Sequence, residues 1–179
     1  MELWDLYDRD RNMLPGKMER GAPQPEGTYH LVVHLCIFNS KGEMLIQHRQ
    51  SFKRGWPDRW DFSAGGSAVC GDDARTAIAR EAAEELGYHR DFSDQRPVLT
   101  IHFDTGFDEF FVVNDDIDLQ TLSLQTSEIS EVKWADEETV LALLENDQFI
   151  PHHKGFIELL FHLRHAPTTQ TKEEHPSKP

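Results

Sequence analysis

Glu81, Glu84 and Glu85 stand three and four residues apart within Arg80-Glu-Ala-Ala-Glu-Glu-Leu-Gly87. At about 100° per residue, that spacing puts all three carboxylates on one side of a helix. Held together they repel one another unless a cation sits between them. Hard divalent cations with oxygen ligands, Mg²⁺ or Mn²⁺, suit such a set best. The plain alternative is an acidic, solvent-facing helix, because glutamate is itself a good helix former. A second pair with chemical potential is Arg49 and Lys53, four residues apart. Arg presents a planar fork and Lys a point charge, both matched to phosphate oxygens, with ordinary surface basicity as the competing explanation.

The glutamates need a helix to hold them, and the flanking residues supply one. Gly65, Gly66 and Gly71 form a glycine-rich turn, and Asp72 and Asp73 are suited to cap a helix start. From Ala74 to Leu86 every residue except Thr76 and Ile78 is a good or fair helix former, and Gly87 supplies the stop. Ala74, Ile78, Ala82 and Leu86 recur every fourth position as an apolar stripe, which the three glutamates border.

Taken whole, the stretch from Gly66 to Tyr88 resembles the signature of the Nudix hydrolases: Gly, five residues, Glu, seven residues, then Arg-Glu-apolar-any-Glu-Glu-any-Gly-apolar. Every spacing fits, with Asp72 standing where the family has Glu. Ala82 and Tyr88 fill the two apolar places loosely. The resemblance implies a Nudix fold, an α/β/α sandwich with a mixed sheet and a metal site built on a glycine loop and helix. It also implies hydrolysis of a diphosphate linkage in a nucleoside diphosphate derivative or another small organic diphosphate. By the same resemblance Glu81, Glu84 and Glu85 bind the metal together with the Gly66 carbonyl, and Asp72 supports the site from behind through Arg80. Glu84 or Glu81 then takes the proton of the attacking water, with Glu128 and Glu131 as outside candidates.

The stretch from His30 to Ser63 resembles one particular branch of that family. His30-Leu31, Phe38-Asn39-x-Lys41-Gly42, Arg49-x-x-x-Lys53 and Trp56-Pro57-x-x-Trp60-x-x-Ser63 resemble the isopentenyl-diphosphate isomerases and their hydrolase-like relatives. In that branch the Arg and Lys grip the diphosphate, which makes Arg49 and Lys53 the substrate-binding candidates. The isomerases also use a Cys and a metal-binding His, where this chain has Gly65 and Ser67. A hydrolase is therefore the favoured reading, with an isomerase-like enzyme or a non-catalytic diphosphate-binding module as alternatives. Trp56 and Trp60 either stack a base or pack their loop, and packing is the expectation.

Composition sets the outer limits. A chain of 179 residues has room for one domain with a sizeable core. The net charge of −14, from 32 acidic and 18 basic residues, argues against nucleic acid as a partner. It leaves room for a small anionic ligand in a cleft whose local field is inverted by a metal and a few cations. No apolar run is long enough for a membrane span and the N-terminus lacks signal-peptide character, so neither a membrane nor secretion is expected. Cys36 and Cys70 lie in no metal-ligand spacing and suit a reducing, cytoplasmic setting as packing residues. A homodimer is the commonest assembly to expect.

Along the chain, strands are predicted at 2–7, 17–19, 30–38, 43–49, 60–63, 97–105, 108–114 and 131–134, with Leu14-Pro15-Gly16 breaking the first two apart. In the strand at 97–105, alternation predicts one apolar face through Leu99, Ile101 and Phe103. Residues 117–126 read as a loop. Helices are expected at 136–145 and 152–164, the latter burying Phe156, Leu159, Leu160 and Leu163. A single domain is thus expected over 1–164, followed by a disordered polar tail at 165–179.

Overall fold

The computed structural model describes residues 2–165. Among these, nine strands and three α-helices follow one another as β1 (Leu3–Tyr7), β2 (Met13–Glu19), β3 (His30–Phe38), β4 (Met44–Arg49), β5 (Trp60–Asp61), β6 (Ala64–Ser67), α1 (Ala74–Leu86), β7 (Leu99–Phe103), β8 (Gly106–Asn114), β9 (Ile129–Ala135), α2 (Glu137–Glu145) and α3 (Lys154–Leu163). The tail predicted to be disordered lies, from residue 166 onward, outside the described residues. No described helix is long and apolar enough to cross a membrane.

The central strand β3 is apolar on both faces, as a strand covered on both sides must be. Leu31, Val33, Leu35 and Ile37 pack with Ala77, Ile78, Ala82 and Leu86 of α1. Cys36 and Phe38 turn to the opposite layer and meet Val140 of α2 and Ile157, Leu160 and Phe161 of α3. A mixed sheet between two helical layers results, the α/β/α sandwich expected.

One break in this sheet builds the site. β3 runs parallel to β8 along its full length, from His30 opposite Gly106 to Phe38 opposite Asn114. On its other edge it meets β4 only at Phe38 and Met44. From there the two strands part: β6 takes β3 as its antiparallel partner, and β4 pairs instead with β5 and β9. Ser63 stitches the parting strands, its hydroxyl donating to the Leu45 carbonyl at 2.6 Å and accepting from the Ile37 amide at 2.9 Å. Both buried backbone groups are thereby satisfied where the ladder fails.

Four expectations are corrected. β2 begins at Met13 and passes through Leu14-Pro15-Gly16 without a break. It belongs to a separate two-stranded ribbon with β1, whose register slips between Asp5 and Tyr7, and an edge strand tolerates a missing amide donor. The glycines at 65 and 66 are strand residues of β6 rather than a turn. β7 is the outermost strand of its sheet, and of its predicted apolar face Ile101 is exposed while Leu99 and Phe103 are half-buried, Leu99 packing against the core. In α3 the buried residues are Ile157, Leu160, Phe161 and Leu163, while Leu159 points outward. Leu160 and Leu163 are thus buried as expected and Phe156 packs half-buried against Phe62 and Phe110, while Ile157 and Phe161 take the place given to Leu159.

Candidate active site

Helix α1 is fixed at both ends by local chemistry. The Asp73 side chain accepts from the amides of Arg75 and Thr76 at 3.0 and 2.8 Å, and Thr76 Oγ1 accepts from the Asp73 amide at 2.8 Å. Thr76, a middling helix former by propensity, is thus half of a capping box. Gly87 ends the helix in the left-handed region at φ 65°.

The three glutamates leave this helix into three different environments. Glu85 enters the opening between β3 and β4 and is only 5% exposed. Its Oε2 accepts from the Gly65 amide at 3.1 Å and from Gln47 Nε2 at 3.2 Å. Burial, reinforced by the Glu81 charge, pushes its pKa up to about 8 despite those two bonds. Glu81 lies against Gly66, where an added Cβ would stand 2.6 Å from Glu81 Oε1. Burial raises its pKa too, against the opposing pull of Arg80. Glu84 is exposed.

Arg80 ties this end of the site together. Its Nη1 donates to both Glu81 Oε1 and Glu84 Oε2, at 2.8 and 3.3 Å. Its Nε donates to Asp72 Oδ2 at 3.1 Å and its Nη2 to the Ser67 carbonyl at 3.2 Å. Among the described residues no three His, Cys, Asp or Glu side chains are already drawn together as metal ligands. Arg80 instead bridges two of the carboxylates as an internal counter-cation. The donor set nevertheless fits a hard divalent cation. It is all oxygen, and burial first, then repulsion from a neighbouring carboxylate, raises the pKa of Glu81 and Glu85, a cost that a bound cation would relieve.

A cleft of about 850 Å³ joins these groups to Arg49 and Lys53. Arg49 Nη1 donates to Asp61 Oδ2 at 3.2 Å, while its Nε and Nη2 donate to the Gly55 carbonyl at 3.2 and 3.0 Å. Lys53 pairs with Glu128. Glu128 also lines the cleft, but the exposed Glu131 faces His48 across the β4–β9 ladder and is not among its lining residues. Trp60 is buried beneath Lys133, as packing predicts. Trp56 departs from that expectation: it is 51% exposed, with its backbone at φ 47°, and it lines the cleft.

Several lining residues carried no assignment from the sequence. His34 bonds Asp108 through Nε2 at 3.1 Å and stacks on Phe110. Burial holds the His152 pKa below the ordinary imidazole value. Asp61 was detectable as the acid between Trp60 and Phe62, and a charge inside an apolar strand needs a reason. Glu2 and Arg20, side by side at the open end of the β1–β2 ribbon, gave no sequence signal. No cysteine lines the cleft among the described residues: Cys36 is buried in the core, and Cys70 contacts Lys17.

The NUDIX domain family model matches residues 28–160. An uncharacterised Nudix hydrolase of Listeria innocua is 44% identical over 168 residues, which are 94% of this chain and 98% of that one. An isopentenyl-diphosphate Delta-isomerase of Citrobacter koseri is more distant, at 26% identity over 137 residues, covering 72% of this chain and 75% of that one. The crystal structure of DR0079 from Deinococcus radiodurans has the same fold, with a TM-score of 0.73 at 24% identity over 90% of this chain and 98% of that chain.

Proposed function

This chain belongs to the NUDIX domain family, and on that premise we propose that it is a Mg²⁺- or Mn²⁺-dependent hydrolase of a diphosphate linkage, in a nucleoside diphosphate derivative or another small organic diphosphate. The observation that carries this reading is the gathering of Glu81, Glu84, Glu85 and Gly66 in one cleft with Arg49 and Lys53. Carboxylates for a cation and cations for phosphate are the two halves of diphosphate chemistry.

In this reading Glu81, Glu84 and Glu85 hold the divalent cation, joined by the Gly66 carbonyl. When bound, the metal supplies electrophilic relief to the phosphate oxygens and acidifies a water. Arg49 and Lys53 exchange Asp61 and Glu128 for phosphate oxygens and align the substrate. Glu84 or Glu81 accepts the proton of the attacking water. Asp72 holds Arg80, which in turn sets the orientation of Glu81 and Glu84.

A second reading, isopentenyl-diphosphate isomerisation, draws on the Citrobacter koseri relative. Against it, Gly65 and Ser67 sit in β6 opposite His34 and Val32 and offer no thiol or imidazole to the substrate. The test is phosphate or monophosphate release across nucleoside di- and triphosphates, nucleotide sugars, dinucleotides and isoprenoid diphosphates, with Mg²⁺, with Mn²⁺ and with chelator. A metal-dependent hydrolytic hit lost in Glu84→Gln supports the hydrolase and names its substrate class. Interconversion of the isoprenoid isomers supports the second reading, and silence with metal bound at the glutamates leaves a binding module.

A further inference from the structure

We propose that His34 and Asp108 form a hydroxyl-reading subsite on the β3–β8 side of the cleft, which selects a diphosphate carrying a sugar group. This rests on the diphosphate reading of the cleft but goes beyond it, since both residues line the cleft outside the glutamate set and the Arg49–Lys53 pair.

Strand register brings the pair together. β3 and β8 run parallel with Val32 opposite Asp108 and His34 opposite Phe110, so these four residues share one face of the sheet. Further along that face Cys36 and Phe38 are covered by α2 and α3, whereas Val32, His34 and Asp108 line the cleft. The His34 ring lies flat on Phe110, with centroids 4.6 Å apart and planes 13° from parallel, and meets Phe62 edge-on at 5.9 Å. Those contacts fix the plane of the ring. The bond between Nε2 and Asp108 Oδ1 at 3.1 Å fixes its rotation within that plane.

That bond decides what the other nitrogen does. A carboxylate accepts, so the neutral ring carries its proton on Nε2 and keeps a lone pair on Nδ1. Nδ1 has no hydrogen-bond partner among the described residues, yet it is not sealed from solvent. The same holds for Asp108 Oδ2. Gly65 keeps the nitrogen open: it pairs with His34 from β6, and a Cβ there would stand 3.1 Å from Nδ1. Any side chain on residue 65 would close over it. A histidine retained for packing alone needs neither a carboxylate partner nor an uncovered nitrogen. The pair thus offers two acceptors and no free donor, which repels phosphate oxygens and suits sugar hydroxyls, as an acidic side chain suits the hydroxyls of a ribose. An isoprenoid chain has no donor to give. Gly65 also links the pair to the glutamates, because its amide donates to Glu85 Oε2 at 3.1 Å. The sugar is therefore read next to the diphosphate.

The experiment is calorimetric titration of the full chain at pH 8 in Mg²⁺, alongside thermal melting. The ligands are methylenediphosphonate and adenosine 5′-(α,β-methylene)diphosphate, both non-hydrolysable, of which only the second carries a sugar. The wild-type chain should bind the nucleotide more tightly than the bare diphosphonate. His34→Phe, which keeps the stack on Phe110, should weaken nucleotide binding about tenfold, the worth of one hydrogen bond, and leave diphosphonate binding and Tm unchanged. Asp108→Asn should act in the same direction, because it turns an acceptor into a donor. His34→Asn, whose amide oxygen stands near the place of Nδ1, should recover part of the loss. A nucleotide bound no more tightly than the diphosphonate overturns the subsite and leaves the diphosphate reading standing. So does a loss shared equally by the two ligands, or a nucleotide affinity that survives both His34→Phe and Asp108→Asn. Absence of binding of either ligand by the wild-type chain overturns both readings.

Discussion

Gly66 and Glu81 are packed so closely that a Cβ on residue 66 would stand 2.6 Å from the Glu81 Oε1 and 2.7 Å from its carboxyl carbon. Next door, a Cβ on Gly65 would stand 2.6 Å from the Val33 carbonyl. The two neighbours differ in what can give way. Glu81 is a side chain that can swing aside, whereas Val33 is backbone of the central strand. Gly66→Ala should therefore fold with little change in Tm and lose activity about a hundredfold, because a displaced ligand misplaces the reacting groups. Gly65→Ala should cost about 1–3 kcal/mol of stability by overpacking. Denaturant melts and kcat of the two variants check the pair, and a fully active Gly66→Ala would contradict the role given to Glu81.

Glu85 gives the protein a pH-dependent stability. Its folded-state pKa of about 8 lies above the ordinary carboxylate value of 4.5. The protonated form is favoured in the fold, so its contribution is fully present below about pH 4.5 and is lost as the pH climbs through about 8. In chelator, Glu85→Gln should gain Tm over wild type on going from pH 5 to pH 9. Melts at the two pH values test this, and a difference independent of pH would refute it. Metal binding near pH 7 should also release protons, detectable as a buffer-dependent heat.

Asp72 and Arg80 should act as one unit. If Asp72 works through Arg80, then Asp72→Ala should lower kcat in the wild-type background and do little when Arg80 is already alanine. Their coupling in a double-mutant cycle should be about 1 kcal/mol. Additive effects would mean that Asp72 serves some other purpose, such as the 3.4 Å bond it accepts from the Val69 amide.

The ion pairs of the phosphate-binding candidates predict opposite changes in KM. Arg49→Ala removes a cation and should raise KM about tenfold. Glu128→Gln frees Lys53 from its partner and should lower KM without changing kcat. Should Glu128 be the proton acceptor instead, the same substitution would collapse kcat, so one steady-state measurement separates its two roles.

Helix α1 was legible in the sequence from its first residue to its last because what makes it is local. Asp73 and Gly87 set the ends, and Ile78, Ala82 and Leu86 set the buried face. The spacing of Glu81, Glu84 and Glu85 likewise implied a shared side for the carboxylates without any knowledge of the sheet. Which of them would be buried was not legible, because it depends on β4 leaving β3 after Met44 and so opening the slot that Glu85 fills. Long-range contacts also decided that Trp60 is buried while Trp56 stays exposed, and that β7 is an edge with Ile101 uncovered. Glu2 and Arg20 carry no local pattern of any kind, and they reach the cleft only through the docking of the ribbon on Cys70 and Gly71. Periodicity and caps record what a segment does with its immediate neighbours. Burial, charge pairing and membership of a cleft belong to residues far apart in the chain, and the packing of the sheet alone brought them together.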